Sequence, residues 1–171
     1  MRLKNLAIPI VVMFMTLFFT KGSLNSEEQQ MYYSMSDLKW LSIAIYFEAR
    51  SESTAGQLAV AQVVINRVYS SRWPDTIKGV VTQGKYHKDG LPVLNKCNFS
   101  FWCDGRTEEI LSEKSWAKAI EISRIILSGK VIDITDGADH YELKSNSPWW
   151  SKKMLPTAYI DSHIFYKSNK P

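Results

Sequence analysis

The chain has 171 residues, 45% of them hydrophobic and 22% charged, and a formal net charge of +4. That suits one compact domain with a short accessory segment and leaves no disordered, low-complexity or repetitive stretch. Arg2, Lys4 and Lys21 lie in the first 22 residues with no acid among them, so the remainder carries only +1, which excludes a strong electrostatic footprint for nucleic acid.

Arg2 and Lys4 precede an apolar run from Leu6 to Phe19, broken only by Pro9 and Thr16, and Lys21, Gly22 and Ser23 follow. A charged start before a short apolar core is the pattern of a secretory signal, and the run falls short of the roughly 20 residues a membrane span needs. Residues 1–22 are therefore expected to be a signal peptide or an N-terminal membrane anchor. The protein is expected to be exported, touching membrane only through this segment and otherwise a monomer. Residues 23–36 read as a polar connector and residues 37–168 as the folded domain.

Within the domain, Ser36 or Asp37 is expected to cap a helix that ends near Arg50. Thr54 and Gln57 fit a capping box for a second helix, whose run Leu58–Ile65 is apolar almost all round and so central. Arg67, at its end, is expected to be structural, reaching a buried acid such as Glu48. Pro74 suits the first turn of a short third helix with Ile77, Val80 and Val81 inward. Residues 84–106 form a long ordered excursion holding both cysteines, Cys97 and Cys103. Export favours a disulfide between them, with two free thiols as the alternative. Their spacing fits no zinc site, and no metal or other cofactor is expected. Ser112 or Ser115 opens a further helix that Gly129 stops. Val131–Thr135 and Tyr159–Tyr166 read as strands around an Asp136-Gly137 turn. Helices first and strands last give an α+β domain, mostly helical, with a small strand region in its C-terminal part.

One residue breaks the pattern of the first helix. Its apolar stripe runs Leu41, Ala44, Ile45, and the next position is Glu48. A carboxyl on a core-facing stripe loses hydration, its neutral form is favoured, and it becomes a candidate general acid; a structural ion pair is the alternative.

The motif Tyr46-Phe47-Glu48-Ala49-Arg50-Ser51-Glu52 followed by Gly56-Gln57-Leu58-Ala59-Val60-Ala61-Gln62-Val63-Val64-Ile65-Asn66-Arg67 resembles the core of the cell wall hydrolases related to spore-cortex-lytic enzymes. Further matches follow in order: Trp73-Pro74, Phe99-Ser100 with Cys103-Asp104-Gly105, Gly137-Ala138 with His140-Tyr141, Pro148-Trp149, and His163-Ile164-Phe165-Tyr166. The resemblance covers about residues 38–167. It implies a lysozyme-like catalytic domain of the lytic transglycosylase type acting on peptidoglycan glycan strands, with Glu48 as catalytic acid. The chain departs from the family pattern at Ser51, where members commonly carry Gly, at Asn98, where they carry Gln, and at Asp139, where a neutral residue is usual.

The expected chemistry is cleavage of the bond between N-acetylmuramic acid and N-acetylglucosamine. Glu48 would protonate the leaving oxygen. Glycosidases commonly add a second carboxylate, for which Glu52, Asp104, Asp133, Asp136 and Asp161 are candidates. In lytic transglycosylases the substrate's N-acetyl group and 6-hydroxyl make a second acid dispensable. Aromatic faces stack on sugars, so Phe99, Trp102, Tyr141, Trp149 and Trp150 are candidate contacts. Glu52, Asn98, Ser100, His140 and His163 are candidate polar contacts. Alternatives are an N-acetylmuramoyl-L-alanine amidase, for which the chain offers no convincing zinc or nucleophile set, and a non-catalytic wall-binding protein. The resemblance implies a place in the cell envelope, periplasm or wall, and a part in cell lysis as an endolysin or in wall remodelling.

Overall fold

The computed structural model describes residues 33–146 and 148–168. The expected signal or anchor segment and most of the connector lie outside the described residues. Four helices come first: α1 (Met35–Ala49), α2 (Thr54–Val68), α3 (Ile77–Val81) and, after a hairpin, α4 (Glu113–Leu127). The hairpin pairs β1 (Gly84–Tyr86) with β2 (Pro92–Cys97) and runs into a 3-10 turn at Ser100–Cys103. The C-terminal part is an antiparallel sheet of β3 (His140–Leu143), β4 (Leu155–Ile160) and β5 (His163–Lys167) with β5 in the middle. The expected α+β class, helical first and stranded last, is what the chain adopts. Among the described residues no helix is long and apolar enough to cross a membrane.

Short polar side chains set the helix starts. Ser34, not Ser36 or Asp37, caps α1: its hydroxyl accepts from the Asp37 N–H while the Asp37 carboxylate accepts from the Ser34 N–H. Asp37 thus fills the return position of the capping box. Ser53, not Thr54, caps α2, and the Gln57 side chain donates to the Glu52 carbonyl instead of closing a box. Thr76 caps α3, which leaves Pro74 outside the helix. Ser112 caps α4 as expected, and Gly129 ends it at φ 68°, a conformation open to glycine.

Two apolar clusters hold the layers together. The larger packs α1, with Leu41, Ala44 and Ile45 fully buried, against α2, α3 and α4 and against Phe99 and Phe101. Inside it, Ser42 donates to Ser123 of α4 at 3.0 Å, so two buried hydroxyls lock the helix pair. The smaller cluster, built on Ala59, Val60, Val63 and Phe165, seats the sheet on α2. The alanines at 59 and 61 are fully buried, which agrees with a central second helix.

Two strand expectations change. Val131–Thr135 is a loop, because Asp133 satisfies the backbone locally: its carboxylate accepts from the N–H groups of Thr135 and Gly137, each at 2.8 Å. Such side-chain bonds compete with a strand ladder. Tyr159–Tyr166 is not one strand but a hairpin that turns at Asp161-Ser162, with Asp161 at φ 47°. A two-residue hairpin loop needs left-handed backbone, which Asp tolerates. The Asp136-Gly137 turn forms as expected, with both residues at positive φ.

Candidate active site

A cleft of about 820 Å³ runs between the helical layer and the sheet. The end of α1 supplies Phe47, Glu48 and Arg50, the β2 end and 3-10 turn supply Asn98, Ser100 and Phe101, and the sheet supplies Tyr141 and His163. One wall is the segment 104–111, anchored from inside by Tyr46, whose hydroxyl accepts from the N–H groups of Leu111 and Ser112. The disulfide between Cys97 and Cys103 ties β2 to the turn that carries Ser100 and Phe101.

Glu48 occupies the position that the helical stripe predicted, in the last turn of α1. Burial raises its carboxyl above the ordinary value, against a hydrogen bond from Tyr141 and the nearby charge of Arg67, both of which lower it. The Tyr141 hydroxyl donates to Glu48 Oε2 at 3.0 Å. Tyr141 is itself held far above the ordinary phenol range by burial and by the Glu48 charge, so it remains a donor. Arg67 lines the same cleft, but its Nε donates to the Asp139 carbonyl at 2.7 Å and its guanidinium lies over the Trp73 ring. The expected pairing of Arg67 with Glu48 is thus a through-space attraction within a structural role.

Of the residues named from the sequence, Glu48, Asn98, Ser100, Tyr141 and His163 meet at the cleft. The Asn98 amide donates at 2.6 Å to the Gln83 side chain, which occupies part of its hydrogen-bonding capacity. Phe99 is 1% exposed and belongs to the core, so its face is not offered to sugar. Trp102 packs edge-on against Trp40 and donates to the Tyr86 hydroxyl, away from the cleft. His140 pairs with Asp139 at 2.8 Å and packs between Trp73 and Trp150. Trp149 is 74% exposed beside Lys153, and its neighbour Trp150 lines the cleft instead. Glu52 turns away from the cleft and accepts two hydrogen bonds from Ser162.

Among the other named acids, Asp133 is committed to the turn at 133–137, and Asp161 accepts from the Ser53 N–H; Asp104 does line the cleft. The wall residues Arg106, Glu108, Glu109 and Asn146 were not singled out from sequence. They lie in irregular segments without periodicity, and only the fold brings them alongside Glu48.

The curated relatives include spore cortex-lytic enzymes from Oceanobacillus iheyensis, 47% identical over 49 residues, and from Bacillus subtilis, 41% identical over 49 residues. These segments make up 29% of this chain but only 18% and 16% of the respective relatives, so the match spans less than a fifth of their length. Solved structures extend the likeness across the domain. The catalytic domain of the Bacillus cereus SleB protein superposes with a TM-score of 0.58 at 26% identity, covering 80% of this chain and 93% of that one. The catalytic domain of the germination-specific lytic transglycosylase SleB from Bacillus anthracis gives 0.59 at 26% identity, covering 79% and 97%. The family model for cell wall hydrolases matches residues 51–166, a span that begins three residues after Glu48. With more than half of its length matched and its fold shared with two such catalytic domains, the chain belongs to the cell wall hydrolase family.

Proposed function

We propose that the protein is a peptidoglycan-degrading enzyme that cleaves the bond between N-acetylmuramic acid and N-acetylglucosamine as a lytic transglycosylase, with Glu48 as its acid and base. The observation that carries this reading is a protonatable carboxyl in a cleft: burial raises Glu48, and Tyr141 orients it. The relation to SleB supports the substrate class, since one of those domains is described as a lytic transglycosylase.

In the first step the Glu48 proton goes to the glycosidic oxygen, the bond from that oxygen to C1 of N-acetylmuramic acid breaks, and the N-acetyl group steadies the electron-poor carbon. Glu48 is then a carboxylate, and the Tyr141 hydroxyl stabilises its charge. In the second step Glu48 takes the proton of the sugar's 6-hydroxyl, whose oxygen bonds to C1 and closes the 1,6-anhydro ring. The enzyme returns to its starting protonation state. A one-carboxylate mechanism agrees with Glu52 being engaged by Ser162 outside the cleft. Half-buried Trp150 offers apolar surface for a sugar face along the cleft, and Phe101 lines the cleft from the core.

The test is mass spectrometry of muropeptides released from purified peptidoglycan by wild type and Glu48→Gln. The reading expects 1,6-anhydro ends from the wild type and none from the variant. Reducing N-acetylmuramic ends would make the enzyme a muramidase, and full activity in Glu48→Gln would remove Glu48 from the chemistry.

A further inference from the structure

The proposed reaction leaves Glu52 without a task in the cleft, yet it is one of the most constrained carboxylates in the domain. The chain turns after α1, with the Glu52 N–H donating to the Ala49 carbonyl at 3.0 Å, and this swings the Glu52 side chain away from Glu48 toward the β4–β5 turn. There Ser162 donates to both carboxylate oxygens, from its hydroxyl at 2.7 Å and from its N–H at 3.2 Å. The His163 Nδ1 lies 3.9 Å from the same carboxylate, and both side chains are largely buried.

The junction is tied in the other direction as well. The Ser53 N–H donates to the Asp161 carboxylate at 2.9 Å, and the Lys144 ammonium donates to the Asp161 carbonyl. Helix α2 begins hard against this turn: a Cβ on Gly56 would fall 2.4 Å from an Asp161 oxygen. The segment joining α1 to α2 and the turn joining β4 to β5 therefore form a two-way clasp at one end of the cleft.

The clasp leads back to the chemistry through one ring. His163 meets Tyr141 edge-on with centroids 5.3 Å apart, Phe165 packs against both rings, 5.9 Å from Tyr141 and 6.1 Å from His163, and Tyr141 donates to Glu48. We propose that Glu52 is a positioning residue: with Ser162 it fixes His163, which fixes the Tyr141 ring and so sets the hydroxyl against Glu48. The inference rests on the reading of Glu48 as proton donor. It separates Glu52 from the two roles its sequence position suggested, that of second carboxylate and that of substrate contact.

Charged groups surround the relay, and Arg50, Asp104, Arg106, Glu108, Glu109 and Glu142 line the cleft that Glu48 faces. Glu48 faces Tyr141 from β3 and Arg67 from α2. His163 faces Glu52 from the α1–α2 junction, Asp161 from its own turn and Lys144 from the end of β3. Burial pushes His163 below the ordinary histidine value, against the two carboxylates, so it acts as a neutral ring and not as a charge. Loosening the clasp then acts on Glu48 through the Tyr141 hydrogen bond. Loss of that bond raises the Glu48 carboxyl further, and the alkaline limb of activity moves to higher pH.

The experiment compares wild type, Glu52→Gln, Ser162→Ala, Ser162→Thr and Glu48→Gln in the full chain, on soluble peptide-free glycan strands. It measures kcat, KM and the pH profile. Glu52→Gln and Ser162→Ala are expected to lose about tenfold in kcat, with KM within about twofold of wild type and the alkaline limb shifted upward. Ser162→Thr, which keeps the hydroxyl, is expected to restore the wild-type profile. If Glu52→Gln does not fold, the Ser162 pair decides alone. A raised KM with unchanged kcat would make Glu52 a substrate contact, and a loss as deep as that of Glu48→Gln would make it part of the chemistry; either overturns the proposal, as does wild-type behaviour in both variants. Activity retained by Glu48→Gln would instead bring down the proton-donor reading itself.

Discussion

Glu48→Gln keeps the shape of the side chain and removes its proton. General acid catalysis is worth about 10²–10⁴-fold, so the variant should lose glycan cleavage by that order while still sedimenting with peptidoglycan. Tyr141→Phe tests the partner. Its hydroxyl stabilises the charged form of Glu48 and so holds the carboxyl below where burial alone would set it. Without the hydroxyl the carboxyl rises, the protonated acid survives to higher pH, and the alkaline limb of kcat/KM should move upward. A pH–rate profile checks the sign, and an unchanged or downward limb would contradict the geometry. Glu48 was legible in the sequence because a helical stripe has a period and an acid on it stands out. Tyr141 is 93 residues away in the chain, and no local pattern couples the two.

At the scale of elements, the joints carry the predictions. Gly56→Ala puts a Cβ against both the Asp161 carboxylate and the Glu52 Cβ, which lies 2.8 Å from it. Alanine is the better helix former, but the overpacking is set by neighbours that are themselves hydrogen-bonded. The variant should be destabilised by about 1–3 kcal/mol in urea denaturation; stabilisation would mean that the clasp yields freely. The disulfide closes a small loop, with a sequence separation of 6. Its removal in Cys97→Ser/Cys103→Ser should cost about 2 kcal/mol by loop entropy, read as a lower thermal midpoint that matches wild type under reductant. Helix spans were legible because amphipathic stripes and stop residues are local signals. The caps of α1 and α2 slipped by one to three residues, since more than one capping side chain stood near each start and side-chain geometry chose among them. Asp133 and Asp161 misled the strand reading, because an aspartate that bonds its own neighbours, as Asp133 does, or takes the left-handed position of a tight turn, as Asp161 does, looks like a polar position in a strand.

For the molecule as a whole, Asp139 is the charge on which several segments converge. It is 3% exposed, pairs with Arg72 after α2 and with His140, and accepts from the Ser168 N–H and hydroxyl beyond β5. Burial opposes its charge, but the hydrogen bonds from His140 and Ser168 outweigh it and hold the carboxyl far below the ordinary range. A depressed carboxyl contributes stability that is complete above its unfolded value of about 4 and is lost as pH falls toward the folded value. The thermal midpoint should therefore fall on acidification below about pH 4, and Asp139→Asn should be less stable at neutral pH with a flatter acid limb. A parallel acid limb in the variant would place the acid sensitivity elsewhere.

The sequence by itself determined what local periodicity and motif can carry: an α+β order of elements, a carboxylate on an apolar face, and a run of motifs resembling the cell wall hydrolases. Those signals survive without the fold because each is written in a few adjacent residues or one helical repeat. The tertiary structure decided which candidates share a cleft. It sent Phe99 to the core, Trp102 and His140 to packing roles and Glu52 to the clasp, and it brought Tyr141 and the wall at 104–111 to Glu48. Side-chain direction at an irregular or sheet position depends on partners far along the chain, and only packing selects those partners.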